Sequence, residues 1–263
     1  MPQDRMLLQH SAGLKVERVV LHEKSTEWSS SYVVPSRRLV LPASGATEFR
    51  TAGRSMLLDG LTALCLPTGQ PYQMKPCMGG VTRASIVVSA QSGKGDALPR
   101  PDAWRLAPRA LLRLRCHWRA LALGREHEAP TQALLRQLLQ SAVRAAPGEE
   151  WPMAEAVQRA RRFMVARTAA MDGVPWTLLD AADAACSSPF HLARAFRRHT
   201  GLSLHQYRQQ LRLAAALQRL EEGERHLAAL AHEAGFSSQS HMGAVFRHAL
   251  GVTPAHARQA LAV

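Results

Sequence analysis

The chain has 263 residues, 46% of them apolar, which suffices for two domains of ~100–150 residues each and excludes a disordered chain. Lys and Arg number 33 against 20 Asp and Glu, a net charge of +13, and the lysines are only Lys15, Lys24, Lys75 and Lys94. This arginine excess favours a phosphate-rich partner, because the guanidinium fork matches two phosphate oxygens at once, although a general Ala/Arg compositional bias gives the same count.

Met1 to Lys15 has no uninterrupted apolar core of signal-peptide length. From Tyr32 to Ser89 short apolar runs alternate with turn residues: Tyr32–Val34, Leu39–Leu41, Met56–Leu58, Leu61–Leu66 and Ser85–Ser89, each bounded by Pro or Gly. Such spacing predicts a small antiparallel barrel or sandwich within residues 14–92. Gly93 to Pro101 reads as a connection. Leucines at 106, 111, 112, 114, 121 and 123, then at 134, 135, 138 and 139, predict a helical element over 102–146. Its leucine stripes exceed what one small barrel covers, which points to a helix-pair dimer interface. Pro147-Gly148-Glu149-Glu150 breaks the chain and closes a domain at 1–150. Residues 1–150 carry 20 basic and 12 acidic side chains and 151–263 carry 13 and 8, so charge does not locate the function.

An internal repeat does. Shifting Ser187–Gln209 by 50 residues gives eight identities in 23 positions, among them Ser187/Ser237, Ser188/Ser238, His191/His241, Phe196/Phe246, Arg197/Arg247 and Gly201/Gly251. Leu178 and Ala182 match Leu227 and Ala231 at an offset of 49. Each unit reads as a short amphipathic helix, a tight turn, and a second helix opened by a serine cap and stopped by glycine. Leu178, Ala181, Ala182, Leu192 and Phe196 are expected inward in the first unit, and Met242, Val245 and Phe246 in the second. This is helix-turn-helix design. Between the units, Leu204, Tyr207, Leu211, Ala214 and Leu217 form one apolar stripe of a longer helix over 203–222. If that helix spaces the units by about one DNA turn, ~34 Å, both second helices reach successive major grooves.

The segment Ser188-Pro189-Phe190-His191-Leu192-Ala193-Arg194-Ala195-Phe196-Arg197-Arg198 with Gly201 resembles the first unit of the AraC/XylS family of transcription regulators. Gly235-Phe236-Ser237-Ser238-Gln239-Ser240-His241, with Phe246-Arg247, Gly251-Val252-Thr253-Pro254 and Arg258, resembles the second. The likeness covers residues 155–260, and a weaker one, around Gly69-Gln70-Pro71-Tyr72, links the β-rich region to the family's sensing domain. It implies an α+β chain: an N-terminal cupin-like β-barrel or sandwich with a helical dimerisation element, then an all-α DNA-binding domain with two helix-turn-helix units. It implies base reading by Phe190, His191 and Arg194, and by Gln239, Ser240 and His241. Arg194 suits guanine, Gln239 adenine, and Phe190 a thymine methyl. Phosphate contacts fall to Ser188, Arg197, Arg198, Arg212, Ser238 and Arg247. Met242, Ala244 and Ala257 stand where the family usually has other, mostly larger, residues. The implied partners are double-stranded promoter DNA, a small-molecule effector, a second copy through residues 102–146, and RNA polymerase.

No other chemistry stands out. Four cysteines, Cys65, Cys77, Cys116 and Cys186, show no CxxC spacing, which suits a reducing cytoplasm over a zinc knuckle or disulfide scaffold. His10, His22, His117 and His127 are the only histidines before residue 150, too scattered for a metal-binding cupin enzyme. Adjacent Cys116 and His117 point to different helix faces, and nothing visibly activates Cys65 and Cys77 as a redox pair. Phosphate-cradling glycine motifs and a nucleophile elbow are absent. No cofactor, metal site, catalytic group or membrane span is expected. Two other classes remain compatible with the residues: a ligand-binding or enzymatic β-barrel with a helical interaction tail, and a regulator that acts without an effector.

Overall fold

The computed structural model describes residues 3–11, 13–21, 27–51, 54–77, 83–90, 102–125, 128–145 and 155–262; the Gly93–Pro101 connection and the Pro147–Glu150 break lie outside them. The chain divides into two compact units, Met1–Ala146 and Pro147–Ala262.

In the first unit the described strands form two antiparallel sheets. One runs in the order β1 (Gln3–His10), β2 (Leu14–Leu21), β9 (Arg83–Ala90), β4 (Arg38–Ser44), β7 (Thr62–Leu66) and β10 (Asp102–Arg105). The other runs β3 (Tyr32–Val33), β8 (Pro71–Pro76), β5 (Thr47–Thr51) and β6 (Arg54–Leu58). The expected sandwich is present, and each of the five apolar runs falls on a strand, apart from Val34 and Leu61 at two run ends. Register explains the core: Val16, Val88, Leu39 and Cys65 form one cross-strand row, and all four are fully buried. A Val or Leu so buried contributes about 1.5–3 kcal/mol relative to exposure. Gln9 continues the row on β1 and accepts a 2.7 Å hydrogen bond from Thr131 of α2 (Glu128–Ala145), so this face lies under the helices. The alternate residues Glu17, Arg83, Ser85 and Ser89 share the opposite face, polar and yet buried. Lys15 and Arg5 neutralise Glu17 at 2.9 and 3.4 Å. Burial pushes the Arg83 guanidinium down to about 10, and the nearby Asp59 carboxylate only partly opposes that.

Residues 102–105, expected to be helical, are instead strand β10. Ala103 and Trp104 pair with Leu64 and Ala63 of β7, and the helix starts only where Pro108 can occupy the first turn of α1 (Pro108–Ala122) without losing a bonded N–H. The leucine stripes are also spent within the unit: Leu111, Leu114, Leu121, Leu134, Leu135 and Leu138 are all buried there. The surplus that suggested a dimer is therefore not left over among these residues. His117 is buried against Thr131 at 2.9 Å while Cys116 is half-buried, so the two are not a ligand pair. Among the described residues no three His, Cys, Asp or Glu cluster as a metal site requires, and no helix is long and apolar enough to cross a membrane.

The second unit is helical: α3 (Glu155–Ala169), α4 (Leu178–Ala184), α5 (Pro189–Thr200), α6 (Leu204–Glu221), α7 (Leu227–Glu233), α8 (Gln239–Leu250) and α9 (Pro254–Ala262). The repeat is longer than the sequence alone suggested. α3 leads into α4 as α6 leads into α7, and the left-handed glycines after the two leading helices, Gly173 and Gly223, are also 50 residues apart. The repeating element is thus three helices, α3–α4–α5 and α6–α7–α8. The α6 stripe of Leu204, Tyr207, Leu211, Ala214 and Leu217 is buried as expected. Tyr207 is its anchor: Phe196 of α5 meets its ring edge-on at 5.2 Å, and buried Arg161 of α3 donates to its hydroxyl at 2.9 Å.

Candidate nucleic-acid interface

The first helix-turn-helix begins with a reciprocal cap. Thr177 Oγ1 accepts from the Asp180 backbone N–H, and the Asp180 carboxylate accepts from the Thr177 backbone N–H at 2.6 Å. The bonds that its carboxylate accepts from the Thr177 backbone N–H and then from the Thr177 hydroxyl hold the Asp180 carboxyl below its ordinary value. Ala181 and Ala182 are fully buried, but Leu178, expected inward, is 42% exposed. The cap places it in the first turn on the solvent side, and the alanines do the packing. The turn passes through Cys186, a non-glycine residue at φ +50, and Arg159 of α3 holds it by donating Nε and Nη2 to the Ala185 carbonyl at 3.1 and 2.8 Å. Ser188 then caps α5, accepting from the His191 N–H at 3.3 Å, with Pro189 in the first turn. Leu192 and Phe196 anchor α5 inward, and Gly201 at φ +71 ends it. The outward face is Phe190, His191, Arg194, Arg197 and Arg198, all exposed, with Phe190 at 80%. An exposed phenylalanine in the first turn of a basic helix has no packing role in the unit itself.

The second helix-turn-helix repeats the plan with different details. Leu230 and Ala231 are buried, Gly235 at φ +77 makes the turn, and Ser238 caps α8 by accepting from the His241 N–H at 3.1 Å. Ser237 is not a cap; its hydroxyl meets Nδ1 of His241 at 2.9 Å, and the His241 ring stands edge-on to Phe236 at 5.7 Å. Met242, Phe246 and Ala257 are fully buried, so the smaller residues still fill the core, while Val245 is only half-buried. Gln239, Ser240, Ala244 and Arg247 are exposed along α8.

The sequence-derived residues thus fall on two equivalent exposed faces, with two exceptions. His241 is engaged in the turn. Arg212, grouped with the outer phosphate contacts, lies half-buried against the α7–α8 turn, where a Cβ on Gly235 would come within 3.0 Å of its Nε and Nη2. Arg208, which adjoins both Arg212 and Trp176, entered the sequence reading only as a repeat identity with Arg258, and Trp176 not at all. The one available signal was the i, i+4 spacing of two arginines on a helix whose other face is apolar.

Two three-helix repeats, each presenting a capped, exposed and basic second helix, define a tandem helix-turn-helix domain. Residues 181–260 match the family model described as a helix-turn-helix domain. A protein named as an AraC-like transcription regulator from Streptomyces lividans is 34% identical over 84 residues, covering 32% of this chain and 28% of that protein. The transcriptional activator RhaS of Pectobacterium carotovorum is 35% identical over 63 residues, 24% of this chain and 23% of that one. The chain spans about a quarter of the length of these curated relatives. Among solved structures, an AraC-type regulator from Chromobacterium violaceum is 26% identical over 41% of this chain and 92% of that one, with a TM-score of 0.38. ToxT from Vibrio cholerae is 11% identical over 94% and 98% of the two chains, with a TM-score of 0.40. Over residues 181–260 the chain thus matches a helix-turn-helix family model and is similar to AraC-like regulators, in the segment where the two motifs lie.

Proposed function

We propose that the chain is a sequence-specific, DNA-binding transcription regulator and not an enzyme, controlled by a small-molecule effector bound in its N-terminal unit. The observation that carries this reading is the pair of equivalent exposed faces on α5 and α8. Phe190, His191 and Arg194 read bases from one major groove, and Gln239, Ser240 and, more weakly, His241 from the next. Ser188 and Ser238 present helix N-termini to phosphates, and Arg197, Arg198, Arg212 and Arg247 neutralise others. The buried polar face of Glu17, Arg83, Ser85 and Ser89 supports an effector site in the sandwich, since an apolar core would not retain four such groups without use. The name of one relative, a transcriptional activator, supports activation as the output, and RNA polymerase is the partner that the family likeness implies. Free cysteines support a reducing cytoplasm. Homodimerisation through residues 102–146 rests on the family likeness and on Leu123, which is exposed at the end of α1.

Selection from a random-sequence duplex library tests the reading. Recovery of a consensus with two blocks about one helical turn apart is expected. Uniform, salt-sensitive binding overturns it in favour of a β-barrel protein whose helical unit only mediates interactions. Sedimentation of the full chain with and without a Leu123→Glu exchange tests the dimer.

A further inference from the structure

Helix α6 carries arginines at 208, 212 and 219, and they are not treated alike. Arg219 is surrounded by acid, with Glu224, Glu233 and Glu222 at 3.1, 3.8 and 3.9 Å. Among the described residues no carboxylate approaches Arg208 or Arg212, which lie one helical turn apart. Arg208 donates Nη1 to the Trp176 carbonyl at 2.9 Å and lies 4.8 Å over the Trp176 ring, and its buried Nε has no acceptor. Arg212 rests on the Gly235 backbone and makes no hydrogen bond to a described residue. Both side chains are half-buried. Burial, and then the charge on Arg208, pushes Arg212 down to about 10, and burial lowers Arg208 as well. Two like charges partly stripped of water and given no counterion cost stability. Several guanidinium N–H groups left together without acceptors are what a tetrahedral oxyanion needs.

We propose that Arg208 and Arg212 form a seat for one oxyanion, a backbone phosphate of bound DNA, at the junction of the two repeats. Its walls come from different units: Trp176 precedes α4 and Gly235 precedes α8. The junction has no slack, since a Cβ on Gly173 would lie 2.8 Å from His232 Cε1 of α7. A phosphate in the seat therefore ties the entry of the first helix-turn-helix to the turn of the second. The choice of DNA as the phosphate's source rests on the proposed function; a free phosphate shares the chemistry.

The test uses the full chain as wild type, Arg208→Gln, Arg212→Gln, and Arg125→Gln as an equal charge change at an exposed position of the first unit. Melting is followed in chloride and in inorganic phosphate at matched ionic strength, and binding to a mixed-sequence duplex is followed across salt. Arg212→Gln is expected to melt at or above wild type in chloride and to lose the extra stabilisation by phosphate. It also binds the duplex several-fold more weakly, with a salt slope flatter by about one, while Arg125→Gln behaves as wild type. If both α6 variants keep the wild-type slope and affinity, the seat is overturned and the DNA-binding reading stands. An Arg212→Gln chain melting well below wild type in chloride makes the arginine structural and also overturns the seat. If the wild type binds no duplex but phosphate stabilises it and not the variants, the oxyanion seat holds and the DNA reading falls.

Discussion

Ser237 Oγ and His241 Nδ1 lie 2.9 Å apart across the start of α8, whereas the equivalent Ser187 turns its hydroxyl to the Ser188 carbonyl at 3.4 Å and His191 is left exposed. The same two residue types, 50 positions apart, have been put to different uses. In the second unit the imidazole braces the turn, and in the first it faces outward.

His241→Ala is therefore expected to cost about 1 kcal/mol of stability, the worth of one hydrogen bond, with little change in sequence preference. His191→Ala should leave the melting temperature within error and alter the selected consensus. Thermal unfolding and library selection on both variants check the contrast; equal destabilisation by the two exchanges contradicts it.

Arg194 sits one helical turn beyond Phe190 on the exposed face of α5. Arg194→Ala should relax discrimination at one base pair by roughly 1–3 kcal/mol. Titration of specific and scrambled duplexes decides the matter, because equal losses on both would make Arg194 a phosphate contact.

Cys186 and Gly235 occupy equivalent turns, at φ +50 and +77. An L side chain in the left-handed region costs about 1–2 kcal/mol, partly offset by the extra freedom glycine has when unfolded. Cys186→Gly should thus stabilise the chain by about 0.5–1 kcal/mol. Gly235→Ala should destabilise it by more, since the new methyl also meets Arg212. Denaturant titration reads both; a destabilised Cys186→Gly would show that the thiol makes a contact of its own.

The Asp180 carboxyl is held below its ordinary value by the bond from the Thr177 backbone, then by the Thr177 hydroxyl. A depressed folded value means a contribution that is complete above the unfolded pKa, about 4, and lost as pH falls through the folded one. Wild type should therefore melt above Asp180→Asn at neutral pH, and the gap should close below about pH 4. A gap unchanged down to pH 2 would show that the cap does not depend on charge.

The repeat was legible because its anchors are hard to replace. Phe196 and Phe246 fill equivalent cores, Gly201 and Gly251 supply left-handed stops, and the serine caps announce the second helices. In the sandwich, runs punctuated by Pro and Gly marked five strands. What escaped lacked a local signal. Strand β1 is an edge whose Met6 and Leu7 are exposed, so its composition is mixed, and β10 is four residues long and recognisable only through its pairing with β7. The roles of His241, Arg208 and Arg212 are tertiary facts: identical letters in the two units meet different neighbours, which periodicity does not encode.

Helix α6 is core to both repeats, clamped at Tyr207 by α3 and α5 and lying at Arg212 beneath the turn before α8. Held at these two contacts in its first half, α6 fixes α5 and α8 relative to one another, which on the proposed function gives the two base-reading helices a constant phase along the duplex. One inserted base pair between the two blocks of an operator should consequently abolish simultaneous engagement, where a flexibly tethered pair would tolerate it.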